Sequence, residues 1–374
     1  MAEPQYRLVW PKELFIWEAN RVRLLPEDIL FQASTHLLGE AFDDSAVVRA
    51  FSAEFGTRNV FEPDVHGGSM RGWLLDLTKD DSRLMPYVAP RYYAEREGHT
   101  SAPGNPYDAL GVQYAALLLE LQDRGYFPAA LPRWCSDAPV DFDEVGERVR
   151  RAIHMPFGWD GTPTMGGDWD EPVLYSIMEY FHDQAQRPRT ILYHHDYGDC
   201  GPHYDSHSAE SGGAVYRWRV NDLLRRHRAE LVLGRSGEER GRLIHRFGNP
   251  IDDSADARVA EGSGNPEDEV AHAIRDFRER GASSTQKRQA LALLAGALES
   301  RRGRAKVVLG RDEDDLFNIA NNFGIRHRND RQRTAYGDEF LDYLFGTFLS
   351  SVTLLEALER RDGSQPPSGM PVSP

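Results

Sequence analysis

Apolar positions recur at helical spacing through most of the chain. Ile29, Leu30, Ala33, Leu37 and Leu38 mark a helix over Pro26–Leu38, and Val47, Val48, Phe51 and Phe55 mark another over Ser45–Phe55. The stripe Leu110, Tyr114, Leu117, Leu118 and Leu121 predicts a helix over Tyr107–Gln122, with Gly125 as its C-cap and Pro128 just beyond. The Gly-rich run Gly67–Gly72 lacks the Gly-Lys-Ser/Thr ending of a phosphate loop and reads as a turn. Further helices are predicted over Phe142–Ile153, Asp170–Gln184 and Val215–Arg226. Glu230–Leu233 and Arg242–Phe247 pair as short strands around Ser236-Gly237. Near the C-terminus four helices follow one another closely: Glu267–Arg280, Ser284–Arg302, Asp312–Phe323 and Asp338–Arg360. The run Arg301–Lys306 reads as a solvated loop.

The expected fold is mainly α, with a small α+β central part and a C-terminal antiparallel four-helix bundle. The expected division is a helical region over 1–138, an α+β module over 140–250, a linker over 251–265, the bundle over 266–361 and a disordered tail over 362–374. The linker assignment rests on Asp, Ser and Gly with no surviving apolar period.

Composition narrows the classes. A chain of 374 residues, 40% hydrophobic and 28% charged, is that of a globular protein of two or three domains. No run of 18 apolar residues and no signal-peptide start are seen, so a cytoplasmic protein without a membrane span is expected. Cys135 and Cys200 stand far apart in sequence and indicate no disulfide framework. The net charge of −15 argues against binding nucleic acid over the whole surface. That charge is uneven. Residues 267–361 carry 16 acidic and 16 basic side chains and Asp362 adds one negative charge, which leaves −14 for residues 1–266. If the protein touches RNA, the C-terminal third is the expected surface.

Two clusters carry candidate chemistry. The first precedes the last helix: Asn322, Arg326, His327, Arg328, Asn329, Arg331 and Arg333. Imidazole exchanges protons near neutral pH, and Arg holds a scissile phosphate and offsets transition-state charge. Arg326 and His327 are thus the catalytic candidates, and Asn322, Arg328, Asn329, Arg331 and Arg333 the RNA-binding ones. A purely structural role is also open, with these side chains capping the helix and pairing with Asp330, Asp338 or Asp342. The second cluster is central. His195, Cys200, His203 and His207 match the ligand count of a zinc site, with Asp196 or Asp199 assisting in a metal-dependent hydrolase. Cys200 and His203 also suit a thiol nucleophile and its base. The plain alternative is a polar loop with local hydrogen bonds. No cofactor other than zinc is suggested.

The helix order and polar turn of the last 95 or so residues resemble HEPN domains of bacterial abortive-infection and toxin systems. The resemblance implies a bundle that dimerises, and either a metal-independent endoribonuclease or an RNA-binding unit acting in antiviral or stress defence. In that family Arg is followed by four to six residues and then the catalytic His. Here Ala320, Asn321 and Asn322 occupy the corresponding positions before His327, so the motif is degenerate. Arg124–Phe127, His194–His203, Tyr216-Arg217 and Val220-Asn221 also resemble uncharacterised bacterial HEPN-associated proteins, which implies no activity. A scaffold that dimerises through the bundle and docks an unknown protein partner on the central loop is the alternative.

Overall fold

A computed structural model describes residues 5–56, 69–80, 82–86, 109–195, 200–247, 251–262, 265, 267–322 and 337–363. The protein is mainly helical, with three small two-stranded sheets. It divides into two compact units, Met1–Leu223 and Leu224–Pro374. The division therefore falls at Leu223 and not at 138–140 or 251–265.

In the first unit β1 (Tyr6–Leu8) pairs in parallel with β2 (Leu84–Pro86). Between them come α1 (Lys12–Val22), α2 (Glu27–Ala41), α3 (Ala46–Phe55) and α4 (Met70–Lys79). Ser69 caps α4 by accepting from the Gly72 amide, so the second half of the Gly67–Gly72 stretch starts a helix. Then follow α5 (Leu110–Asp123), α6 (Phe142–Ile153), a 3-10 turn over Pro163–Asp168, α7 (Glu171–Gln184), β3 (Arg187–His195), β4 (Gly201–Ser208) and α8 (Ala209–Arg226). The predicted helices of this region are present, and α8 starts six residues earlier than its apolar stripe. Helix α5 ends as its sequence predicts. Gly125 takes φ +78°, its amide bonds to the Gln122 carbonyl, and the Tyr126 amide reaches back to that of Leu121. A Cβ at Gly125 would stand 2.7 Å from the Tyr204 ring, so packing also favours glycine there.

Helix α1 escapes the periodicity because Glu18 occupies one of its core positions, beside buried Phe15, Ala19 and Val22. The partner of Glu18 is Arg187 at the start of β3, and both are fully buried. Arg187 Nη1 lies 3.1 Å from Glu18 Oε1, and its Nε lies 2.8 Å from Glu40 Oε2 on α2. Arg189 donates to the same Glu18 oxygen and to Ser211 Oγ of α8, while Ser211 donates to Glu18 Oε2 at 2.6 Å. Tyr126 donates to Glu40, and Trp10 lies under the Arg187 guanidinium. One buried cluster of charges thus ties α1, α2, β3 and α8 together.

The second unit contains β5 (Leu231–Leu233) and β6 (Leu243–His245), paired antiparallel, then α9 (Ile251–Glu261), α10 (Glu269–Arg278), α11 (Ser284–Ser300), α12 (Arg302–Leu309), α13 (Asp312–Asn322) and α14 (Asp338–Gly363). The four predicted helices are all present as helices, and α9 and α12 join them. The linker expected over 251–265 is instead largely helix. Ala255 and Val259 of α9 lie in the core and Ile251 packs against it, a four-residue spacing obscured by the Asp and Ser residues between, and Arg258 adds a polar attachment. Its guanidinium bonds both Asp268 oxygens at 2.8 and 2.9 Å and Glu356 of α14 at 2.9 Å. The core is built from Ala273, Ile274 and Phe277 of α10, Leu291, Leu294 and Leu298 of α11, and Leu344, Phe345, Phe348 and Val352 of α14. Ser283 and Gln286 form a capping box at the start of α11. Helix α14 is long and apolar enough to cross a membrane, but its apolar side is the core of this unit.

Candidate functional site

Residues 323–336 lie outside the described residues, and with them Arg326, His327, Arg328, Asn329, Arg331 and Arg333. Asn322 closes α13, and its side chain is likewise outside the described set. The structure does describe the first turns of α14, which follow this segment in sequence. Asp338 accepts from Ser284 Oγ at 2.8 Å and lies 3.7 Å from Lys287 Nζ. Asp342 accepts from Lys287 Nζ at 3.1 Å and faces His245 Nε2 at 3.5 Å. Burial would raise the Asp342 carboxyl, but hydrogen bonds from His245 and Lys287 hold it below the usual carboxylate range. Lys287 is nearly buried and stands over the Phe277 ring. Phe277, Phe345 and Phe247 stack beneath it, and His245 packs edge-on against Phe247. An imidazole oriented by a carboxylate and neighboured by an ammonium is a set able to exchange protons beside an anion. His245, Lys287 and Asp342 come from three elements and lie more than forty positions apart from one another, so no local sequence pattern marks them.

The second unit also holds a buried carboxylate cluster. Arg278 has no exposed surface and lies 3.0 Å from Asp256 and 3.4 Å from Glu239. Neither Glu239 oxygen accepts a hydrogen bond from a described residue. Burial pushes the Glu239 carboxyl up to about 6, against the pull of Arg278, and neighbouring Asp256 adds to the rise.

His195, His203 and His207 lie in strands rather than in a loop. In the antiparallel β3–β4 ribbon His195 stands opposite Gly201, and His203 opposite Tyr193. Cys200 lies just before β4 and His207 near its far end, so the strand spreads the cluster along its length. An extended strand separates His203 from His207 by on the order of 10 Å. The Cys200 sulfur, in the interior, accepts from the Ser136 amide at 3.2 Å, and the His207 ring bonds to the Gly125 backbone. The His195 side chain lies outside the described residues. Among the described residues no three His, Cys, Asp or Glu side chains stand as ligands of one metal ion.

The first unit contributes one further titrating group, His36. Burial, reinforced by Arg187, pushes its imidazole down to about 4. Neutral at pH 7, it places Nδ1 at 3.5 Å from Arg187 Nη2. No family model, curated protein or solved structure matches the chain.

These two groups give the units opposite responses to acid. Between pH 6.5 and about 4 the unfolded chain protonates His36 and the native chain does not, so the first unit loses stability as pH falls, by about 3 kcal/mol in all. Between about pH 4.5 and 6 native Glu239 keeps a proton that the unfolded chain has lost. The second unit therefore loses about 2 kcal/mol as pH rises through that window. Amide exchange followed from pH 4.5 to 7.5 should show α2 and β3 opening more readily in acid and α9 and α10 less readily. His36→Gln should flatten the first response and Glu239→Gln the second. Parallel responses in the two units would contradict this assignment.

Proposed function

We propose that the second unit is an RNA-engaging helical module of HEPN type. Its contact surface is Asn322 with Arg326, Arg328, Asn329, Arg331 and Arg333, and His327 is its proton-exchanging group. The observation that supports this reading is the pairing at the start of α14. Asp338 and Asp342 already have Ser284, Lys287 and His245 as partners, so the arginines of the preceding segment are not needed there as counter-ions. Residues 326–333 carry four Arg against the single Asp330, a formal +3 from 4 − 1. That is a phosphate-seeking composition in a chain whose remainder is acidic. The role that follows is bacterial antiviral or stress defence with RNA as the target.

Where the module cleaves, His327 takes the proton of a ribose 2′-hydroxyl while Arg326 and Arg328 hold the non-bridging phosphate oxygens. The 2′ oxygen then forms its bond to phosphorus as the bond to the 5′ oxygen breaks, and that oxygen takes a proton from water while His327 returns its own to solvent. The products are a 2′,3′-cyclic phosphate and a 5′-hydroxyl.

A fluorescent single-stranded RNA in EDTA separates binding from cleavage. Arg326→Ala with Arg328→Ala should raise the Kd at least tenfold and make the salt dependence shallower by about 1.4 in log–log slope, the share of two phosphates. His327→Ala should leave binding in place and stop cleavage. RNA affinity that is absent in the wild type, or equal in the double variant, would contradict the proposal.

A second reading, self-association through the same bundle, is favoured by α14. Phe340, Tyr343 and Leu354 are 41%, 58% and 43% exposed, and with Thr347 and exposed Ser350 they repeat at alternating three- and four-residue steps. Antiparallel pairing of two copies would set Asp338 and Glu339 of one against Arg360 and Arg361 of the other. Light scattering should give twice the chain mass for the wild type and the single mass for Tyr343→Glu with Leu354→Glu. A wild type that stays at the single mass would contradict it.

A further inference from the structure

The chain has only two cysteines, 65 positions apart, and the fold brings them together. The Ser136 amide, one peptide unit from the Cys135 Cα, donates to Cys200 Sγ at 3.2 Å, and Ser136 Oγ lies 3.3 Å from the same sulfur. Covalent geometry then places Cys200 Sγ within about 6 Å of the Cys135 Cα. The Cys200 sulfur therefore lies beside the Cys135 backbone, the neighbourhood in which a disulfide, with its Cα atoms roughly 4.4–6.8 Å apart, can form. The approach is held from both sides. Arg133, two residues before Cys135, donates from Nη1 to the Cys200 carbonyl at 2.5 Å and to the Pro202 carbonyl at 2.9 Å. Cys135 is itself fixed by the bridge to Ala138, whose amide donates to its carbonyl. Both residues are thiols and both are buried.

We propose that Cys135 and Cys200 are a redox pair that closes to an intramolecular disulfide on exposure to a peroxide. One thiolate attacks a peroxide oxygen and the O–O bond breaks, which leaves a sulfenic acid and one water. The second thiol attacks that sulfur, the S–S bond forms, and the sulfenic oxygen leaves as a second water. Two thiols are oxidised and one hydrogen peroxide is reduced to two waters. Burial directs the second step. A sulfenic acid at either position is shielded from solvent thiols, and its neighbour is the only other cysteine in the chain. The bond would join the segment after α5 to the start of β4, closing the loop that contains α6, α7 and β3.

The test uses the full-length, fully reduced protein with hydrogen peroxide as the probe. After quenching, thiols are counted under denaturing conditions and the chain is digested with trypsin without reductant. The count should fall from two to zero per chain. Mass spectrometry should find the peptide Trp134–Arg148 joined to Thr190–Arg217, two hydrogens lighter than their sum and separated again by dithiothreitol. Cys135→Ser and Cys200→Ser proteins should give no such species, and their remaining cysteine should proceed to sulfinic acid. Should either variant fail to fold, the wild-type thiol count and linked peptide decide the matter alone. Two thiols retained by the wild type, oxidation to sulfinic acid without a link, or disulfides only between chains would each overturn the proposal.

Discussion

The first unit depends on one buried guanidinium. Arg187 has no contact with water, and its charge is met by Glu18 from α1 and Glu40 from α2. Burial works against its positive charge, and Glu40, Tyr126 and Glu18 together more than offset that cost and hold it protonated. The reverse also holds. Burial would raise the Glu40 carboxyl, and Arg187, with a hydrogen bond from Tyr126, keeps it ionised. No member of the set can be removed without leaving another uncompensated in the interior. The arrangement thereby joins β3 to α1 and α2 through charge. Arg189 and Ser211 extend the constraint to the start of α8.

The second unit combines an apolar core with charged attachments at its edges. Phe277 and Phe345 stack at 4.3 Å in the centre, where α10, α11 and α14 supply most of the core. Around this, Arg258 locks α9 to the start of α10 and to α14, and Arg278 draws Asp256 and Glu239 inward. Lys287 and His245 hold the first turns of α14. This pairing satisfies the acidic helix start from within the same unit.

What the sequence makes legible follows from the same division of labour. Helices whose inward face is wholly apolar, such as α5 with Leu110, Tyr114, Leu117, Leu118 and Leu121, can be read from periodicity to within three residues. The β5–β6 pair could be read from its turn chemistry. Helices attached by charge could not: α1 hides behind Glu18, and α9 behind Arg258 and a run of Asp and Ser. The β3–β4 ribbon was obscured for another reason. Its His, Asp and Ser residues suggest a ligating loop, while its register is set by pairing with a partner strand that local pattern does not reveal. The meeting of Cys135 with Cys200, and of His245 with Asp342, is tertiary and leaves no mark on local spacing. The polar segment Asn322–Arg333 was found from composition alone, and it remains the basis of the functional reading.

The claim that one ion cluster organises the first unit is tested most directly by the unfolding free energy of Arg187→Met in urea. Methionine keeps much of the side-chain volume and removes the charge, leaving Glu18 and Glu40 buried without their main partner. The account predicts a loss of about 3–5 kcal/mol, the cost of breaking a buried ion pair from one side. A change below about 1 kcal/mol would contradict it, because the helices would then be held by apolar packing alone.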